Sequence, residues 1–419
     1  MKVGYVLLRF PKLTETFIAE EIASLRSRGV DIRIISLLEA DRGPIQPRSR
    51  DLIRLTWYPP GFARLSLAWA QLHFVWRSPR LYLRLLLTLL SQPYLARPAA
   101  AFLKRFAVFA KAVAAARYLE QEGVQILHAH FAWLPGAAAW IIARLINRPF
   151  TVTVHAYDLY TLTDLLGLVC RQARHVVTIS DYNKRELMRL GVCPGDGVSV
   201  VRSGIDLSRF RSDPPAPAVI SPVKTLRVLS IGSLIPKKGH AFLLSACAIL
   251  KKRGMNCRCT IIGAGPDEGF LRRLIRSLGL EGEAKLLGEL TSREVASAHR
   301  THDVFALACA VSPDGDMDGI PVVLMEAGAM GLPLVSTLLS GIPELVRHES
   351  TGLLVPPEDP ESLADALAAL AVNPGLRADL GRNARALVED QYDISRNAGR
   401  LHDVLADLVA QPAPPVNRR

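Results

Sequence analysis

What limits the folds open to this chain is an alternation that is run through twice. Short β-branched or apolar runs at Val3–Leu8, Asp31–Leu38, Gln125–Ala129, Phe150–His155, His175–Ile179 and Ser199–Arg202 are separated by helix-patterned stretches. One such stretch is Thr16–Arg28, with apolar residues near a 3.6-residue period, Thr16 as N-cap and Gly29 as stop. Residues 209–225 then carry four prolines (Pro214, Pro215, Pro217, Pro222), which prevents a helix and marks a linker. After it the alternation restarts, with strands at Leu226–Gly232, Arg258–Gly263, Ala284–Gly288, Asp303–Leu307 and Pro333–Ser336 and helices beginning near His240, Asp267, Ser292 and Pro321. Strands alternating with helices imply parallel β-α-β units. The expectation is an α/β protein of two domains, 1–208 and 226–385. A helical segment, 386–410, follows, within a helical pattern that runs over Asp379–Ala410, and 411–419 is a loose tail. Two such domains are expected to bind ligand in a cleft at the carboxyl ends of their sheets.

Length agrees with this division, since 419 residues at roughly 150 per domain give two to three domains. With 49% apolar and 21% charged residues, global disorder and collagen-like structure are excluded. Six cysteines, at 170, 193, 247, 257, 259 and 309, show no spacing for a disulfide framework or a zinc site, which favours a reducing compartment. The opening MKVGYVLLRFPKL reads as a first strand rather than a secretory signal, and no stretch reaches the roughly 18 apolar residues of a membrane span. A cytoplasmic protein is expected. Charge is uneven: between Leu52 and Leu119 there is no acidic residue, while ten arginines and lysines are interleaved with Trp57, Trp69, Trp76, Phe102, Phe106, Phe109 and many leucines.

Four constellations carry chemistry. In Ser312–Val346 an acidic, glycine-containing loop runs into Pro321 at an expected first helical turn, with Glu326 further along. Free first-turn amides and the helix dipole suit an anionic group. Asp318 in the loop and Glu326 on the helix can accept hydrogen bonds from sugar hydroxyls. A capping aspartate and a solvated glutamate are the plainer alternative. GSLIPKKGH, Gly232–His240, sets Lys237 and Lys238 just past a strand's carboxyl end, where a diphosphate leaving group would develop charge. Lys238 is the effector of choice, and a solvated lysine pair is the alternative. The run beginning Gly263-Ala264-Gly265 departs from a dinucleotide fingerprint and reads as a turn that lets backbone approach a base or phosphate. Lastly, FTVTVHAYDLY puts His155 and Asp158 at the end of a buried strand, with a role toward the transferred group set against a purely structural one. His128 and His130 share a strand face, but no third ligand stands at fitting spacing, so no metal is expected.

Ser312–Val346, GSLIPKKGH, VTVHAYD and VVRSGIDLSRF together resemble the retaining glycosyltransferases of family 4, and the opening FPKLTETFIAEEIASLRSRG is similar to a subgroup that builds bacterial exopolysaccharides, including colanic-acid-type enzymes. The resemblance implies the GT-B fold, two Rossmann-like domains facing across a cleft, and transfer of a sugar from a nucleotide donor with retention and no metal cofactor. By position, Glu326 would hold the donor ribose, and Asp316, Asp318, Gly319, Ile320 and Pro321 the donor sugar. Lys238 would hold the diphosphate, with Gly232, Ser233, Lys237, Gly263 and Gly265 also on the donor side. His155 would meet the reacting sugar, and Thr14, Glu15, Thr16 and Asp158 would lie toward the acceptor.

Two positions depart from the family pattern. Asp318 stands where glutamate is common, and Ser233 stands where an arginine often opposes the diphosphate, so that either Lys237 or another arginine such as Arg202 substitutes or activity is reduced. The basic aromatic segment fits an acceptor carried on polyprenyl diphosphate at an anionic membrane surface, on the inner face of the cytoplasmic membrane. Phe102, Phe106, Phe109 and Val113 recur at helical spacing with Lys104 and Lys111 on another side. A core helix with snorkelling basic residues is the other reading. No nucleic-acid-binding motif accompanies the charge. A sugar-nucleotide epimerase of the same architecture and a catalytically idle nucleotide-sugar-binding scaffold are the rival functions.

Overall fold

Parallel strands are hydrogen-bonded in two separate sheets in the computed structural model, which describes residues 1–12, 15–40, 47–62, 64–93, 98–193, 197–210 and 224–411. Thr14, most of the proline-rich segment and the residues after 411 lie outside the described residues. The first sheet contains β1 (Lys2–Arg9), β2 (Asp31–Leu38), β3 (Thr56–Trp57), β4 (Ile126–His130), β5 (Phe150–Val154), β6 (His175–Thr178) and β7 (Val198–Val200), in the order β3-β2-β1-β4-β5-β6-β7. The second contains β8 (Leu226–Ile231), β9 (Cys257–Ile262), β10 (Ala284–Leu286), β11 (Val304–Leu307), β12 (Leu334–Thr337) and β13 (Gly352–Val355), in the order β10-β9-β8-β11-β12-β13. Both are doubly wound, Rossmann-like orders that reverse once, between β1 and β4 and between β8 and β11.

The first sheet is covered by α1 (Thr16–Ser27), α2 (Pro47–Ile53), α3 (Leu65–Arg77), α4 (Pro79–Leu90), α5 (Pro98–Glu122), α6 (Leu134–Ile146), α7 (Ala156–Tyr160), α8 (Leu166–Gln172) and α9 (Asp181–Arg189). The second is covered by α10 (His240–Lys252), α11 (Glu268–Ser277), α12 (Ser292–Thr301), α13 (Val322–Ala329), α14 (Ile342–Leu345), α15 (Pro360–Val372) and α16 (Pro374–Gln391), and α17 (Ile394–Ala410) follows. Parallel strands are buried on both faces, so they read as continuous apolar runs, and β4 and β5 are buried at every residue. Helix α6 is apolar nearly all round, and all but Arg144 of its residues are buried, because it packs on β1, β4, β5, α5 and α8.

The chain divides into two compact units, residues 1–202 with 394–419, and residues 203–393. The expected single helical stretch to Ala410 is therefore corrected. It breaks at Tyr392 and Asp393, where the Ile205 amide donates to the Tyr392 carbonyl at 2.9 Å. Beyond the break, α17 belongs to the first unit, where its Ala398, Leu401 and Leu405 pack with Ile18, Ile22 and Leu25 of α1. Two strands were not foreseen, β3 and β13. Thr16 is not the cap of α1 but its first residue, and Glu15 takes the cap position.

The basic segment becomes α3, α4 and α5, which pack on one another. Helix α5 serves both expected readings in turn: Phe102 and Phe106 are exposed, whereas Phe109 and Val113 are core and the Lys111 ammonium donates to the Leu37 carbonyl at 2.6 Å. Arg105 is fully buried, paired with Asp164 at 2.6 Å. Helix α3 buries Leu67, Ala70 and Phe74 and turns Leu65, Trp69, Leu72 and Trp76 outward, with Trp76 92% exposed.

Candidate active site

Loops that leave β8 and β11 start from neighbouring strands at the point where the second sheet's order reverses, so residues some eighty positions apart in sequence meet there. After β8 the chain turns through Ser233 and a short 3-10 helix, Pro236–Lys238. After β11 it runs through Cys309 into the acidic loop. The Lys238 ammonium donates to Asp318 at 2.6 Å, and Lys237 contacts Asp316 at 2.8 Å and Asp318 at 3.5 Å. Burial works against charge on both Lys238 and Asp318, but each raises or lowers the other's pKa in favour of the ionised form. The Cys309 thiol, 3.7 Å from Asp318, is held protonated by burial and by that carboxylate. The sequence-derived lysine pair and acidic loop are thus one ion-paired cluster. Arg202, considered as a replacement for the missing arginine, lies in the other unit and pairs with Asp181 at 2.5 Å.

Glycines set the depth of this cluster. Gly263 has φ +143° and a Cβ there would lie 2.0 Å from the Gly232 carbonyl oxygen, while one at Gly265 would lie 2.4 Å from that of Leu234. These two glycines let the turns after β8 and β9 touch backbone to backbone. Ser233 is exposed, and Gly319, Ile320 and Pro321 are buried at the entry to α13. Pro321 caps α13 in extended conformation instead of occupying its first turn, and no side chain caps the helix, so its first amides keep their capacity to donate.

Glu326 sits in the second turn of α13. Among the described residues its carboxylate has no hydrogen-bond or ion-pair partner, and burial pushes its pKa up to about 7 against the opposing charge of Arg209. An acid held this way, without a hydrogen-bond partner among the described residues, is positioned to accept from something else.

In the first unit, the reversal between β1 and β4 gathers a different network. His130 on β4 bonds Glu21 of α1 through Nε2 at 3.0 Å and His155 through Nδ1 at 3.0 Å, and the Tyr5 hydroxyl donates to the same Glu21 oxygen at 2.8 Å. Burial first, then the neighbouring histidines, depress the His155 pKa well below the usual range, and burial brings that of His128 to about 3. Both rings are neutral at pH 7. Asp158 is fully buried and accepts the His155 amide at 2.9 Å, capping α7, with burial raising its pKa to about 7. Asp158, expected toward the acceptor, is thus engaged with the backbone at the start of α7, next to His155. Glu15 caps α1 and pairs with Lys12 at 2.6 Å.

Glu21 is the group that sequence reasoning missed. With Ile18, Ile22 and Leu25 it lies on one helical face, and an acid on a buried face was the available signal. It also supplies the third side chain near His128 and His130, all ligand atoms lying within 4.8 Å of one another. Their polar atoms are already engaged: His128 bonds Thr151 at 2.7 Å and Thr153 at 3.1 Å, and His130 has the two partners above. As built, the cluster is a hydrogen-bonded network.

Comparison with known proteins accords with this geometry. Residues 14–209 match the model for Glycosyltransferase Family 4 and residues 217–387 that for glycosyl transferases group 1. A putative colanic acid biosynthesis glycosyltransferase, WcaL of Escherichia coli K12, is 32% identical over 94% of this chain and 96% of its own. The amylovoran biosynthesis glycosyltransferase AmsK of Erwinia amylovora is 29% identical over 97% of this chain and 100% of its own. Among solved structures, Anabaena HepE in complex with UDP and glucose superposes with a TM-score of 0.70 at 16% identity, over 97% of this chain and 100% of that one, a likeness of fold. The protein is a glycosyltransferase of GT-B fold. It belongs to glycosyltransferase family 4, on the branch whose similar relatives include exopolysaccharide glycosyltransferases.

Two outcomes follow from the cluster. Lys238→Ala leaves Asp318 without its nearest cation and lowers unfolding free energy by up to about 3 kcal/mol; adding Asp318→Asn recovers most of that loss in urea melts without recovering donor binding. Glu326 gives opposite signs for stability and binding. Its folded pKa lies above the ordinary 4.5, so the folded state binds the proton more tightly and stability falls as pH rises from 4.5 to about 7, then levels. Glu326→Gln therefore raises the melting temperature at pH 8, changes it little at pH 4.5, and weakens nucleotide-sugar binding about tenfold or more. Equal melting shifts at both pH values would contradict the assignment.

Proposed function

We propose that this enzyme moves a sugar, with retention of anomeric configuration, from a nucleotide-sugar to a saccharide carried on polyprenyl diphosphate, in exopolysaccharide assembly at an anionic membrane surface. The observation that carries the donor half is the partnerless Glu326 carboxylate, on the helix entered from the acidic loop that binds Lys237 and Lys238. A ribose diol would satisfy Glu326, and a diphosphate would draw the lysines from Asp316 and Asp318, freeing those carboxylates for donor-sugar hydroxyls. The lysines carry the diphosphate charge, and a resident metal is not required. In the first unit His155, neutral and held by His130, is assigned to the reacting sugar.

In this mechanism the bond between the anomeric carbon and the β-phosphate oxygen breaks as the acceptor hydroxyl bonds to the same face of that carbon. The acceptor proton passes to the departing phosphate oxygen, and the nucleoside diphosphate leaves. No side chain need be a strong base, consistent with histidines whose pKa values are depressed. The exopolysaccharide role is supported by the colanic acid and amylovoran relatives. The membrane surface is supported by the outward stripe Leu65, Trp69, Leu72 and Trp76 of α3, in a segment without acidic residues. No helix among the described residues is long and apolar enough to cross a membrane.

Ser233 favours one rival, an idle scaffold that binds nucleotide-sugar without turnover. A panel of UDP-, GDP- and dTDP-sugars, assayed with a polyprenyl-diphosphate-linked saccharide, decides between them. One donor is expected to give a glycoside with the donor's own anomeric configuration by NMR. An inverted product would overturn retention, interconversion of free donor would indicate an epimerase, and binding without turnover on any acceptor would indicate the scaffold. Separately, the protein is expected to sediment with phosphatidylglycerol vesicles in a salt-sensitive way, and Leu72→Glu with Trp76→Glu should cut that binding about tenfold. Absence of wild-type sedimentation would remove the membrane surface from this reading.

A further inference from the structure

A second pocket lies in the first unit, at the far edge of its sheet. It has a volume of about 550 Å3 and is framed by the chain leaving β3, by one face of α3 and by one face of α5. Because β2 and β1 stand between β3 and β4, roughly 14 Å of sheet lies between this pocket and the strand that carries His130. One wall is aromatic and rigid: the rings of Trp57 and Tyr118 stack at 4.8 Å with an interplanar angle of 3°. Trp69, which is 63% exposed, stands at the pocket and also belongs to the outward apolar stripe of α3.

The charges are arranged unlike those elsewhere on this unit. Arg64 and Arg117 both line the pocket, and among the described residues no carboxylate does. The acids that follow on α5 are taken by other cations, Glu120 by Arg77 at 2.7 Å and Glu122 by Arg33 at 2.6 Å. Among the described residues, the guanidiniums of Arg64 and Arg117 have neither a hydrogen-bond nor an ion-pair partner. Gln121 lines the same cavity with its amide also uncommitted. Two unneutralised guanidiniums beside flat aromatic rings select an anion attached to an apolar body, and guanidinium forks match phosphate oxygens in particular.

We propose that this pocket binds the phosphate-bearing head of a prenyl-type lipid, its diphosphate on Arg64 and Arg117 and its hydrocarbon chain leading past Trp69 onto the stripe of Leu65, Leu72 and Trp76. The assignment rests on the reading above of an acceptor carried on polyprenyl diphosphate. It gives the acceptor's carrier a seat separate from the donor cluster, so the lipid end and the growing sugar end are held by different parts of the protein.

The test needs no membrane, so a negative vesicle result leaves it readable. Farnesyl diphosphate, below its micelle concentration, is titrated into the full chain and followed by tryptophan fluorescence and calorimetry. Saturable binding is expected, at least about tenfold tighter than for inorganic diphosphate or for farnesol. Each of Arg64→Ala and Arg117→Ala should weaken it by about tenfold or more, the size of a lost charge-assisted bond. Lys252→Ala, on the surface of the other unit, should leave it unchanged. Neither guanidinium has a partner among the described residues, so both variants should keep the wild-type melting temperature. Inorganic diphosphate binding as tightly as farnesyl diphosphate would make this a free-anion site and overturn the proposal. So would farnesol binding equally well, binding insensitive to both arginines, or no binding of farnesyl diphosphate. If binding holds but wild-type protein ignores vesicles, the pocket stands and the lipid-facing surface fails.

Discussion

Everything chemical in this protein depends on a topological constraint: a parallel strand must return through a crossover, and crossovers of one hand leave all strand-to-helix loops at one end of the sheet. Where the strand order reverses, the two loops that leave adjacent strands diverge to opposite faces and open a gap. The chain does this twice. In the second sheet the gap is bordered by the turn after β8 and the loop after β11, which brings Lys238 to Asp318. In the first it is bordered by β1 and β4, which brings His130 between Glu21 and His155. Neither grouping is encoded by proximity in sequence.

The two gaps handle charge in different ways. Lysines in the second unit are held by aspartates, so the resting state buries compensated ions, and an incoming anion must compete for them. The first unit instead sets His128 and His155, kept neutral by burial and fixed by hydrogen bonds, near Glu21, whose ionisation His130 and Tyr5 support against burial. Imidazoles of this kind orient and donate without drawing protons from solvent. Arg64 and Arg117 follow neither scheme, their guanidiniums being uncompensated among the described residues and set beside aromatic rings.

Much of this was legible in the sequence, and the exceptions have physical causes. Most of the strands emerged from apolar runs to within a residue or two because buried parallel strands are apolar on both faces. Strand β3 escaped because two residues carry no periodicity, and β13 because its Gly-Leu-Leu-Val run is equally compatible with a loop or a short helix. Lys238, Asp318 and Glu326 were recognisable by residue type beside strand ends and a helix start, but the fact that the first two bond each other required the sheet order. Glu21 was hidden in a Glu-Glu doublet that reads as solvated. Arg105 was counted with the surface charge, although the fold buries it against Asp164 and the carbonyls of Gln92 and Pro93.

Helix α17 gives the first unit a discontinuous origin. Its partner face on α1, formed by Ile18, Ile22 and Leu25, is made early, whereas the covering residues Ala398, Leu401 and Leu405 are translated only after the whole second unit. During synthesis the second unit can therefore close on itself while the first still waits with a greasy flank bare to the ribosome's surroundings. A severed gene cut at the proline-rich segment would yield one half missing its own lid and another carrying a helix that belongs elsewhere.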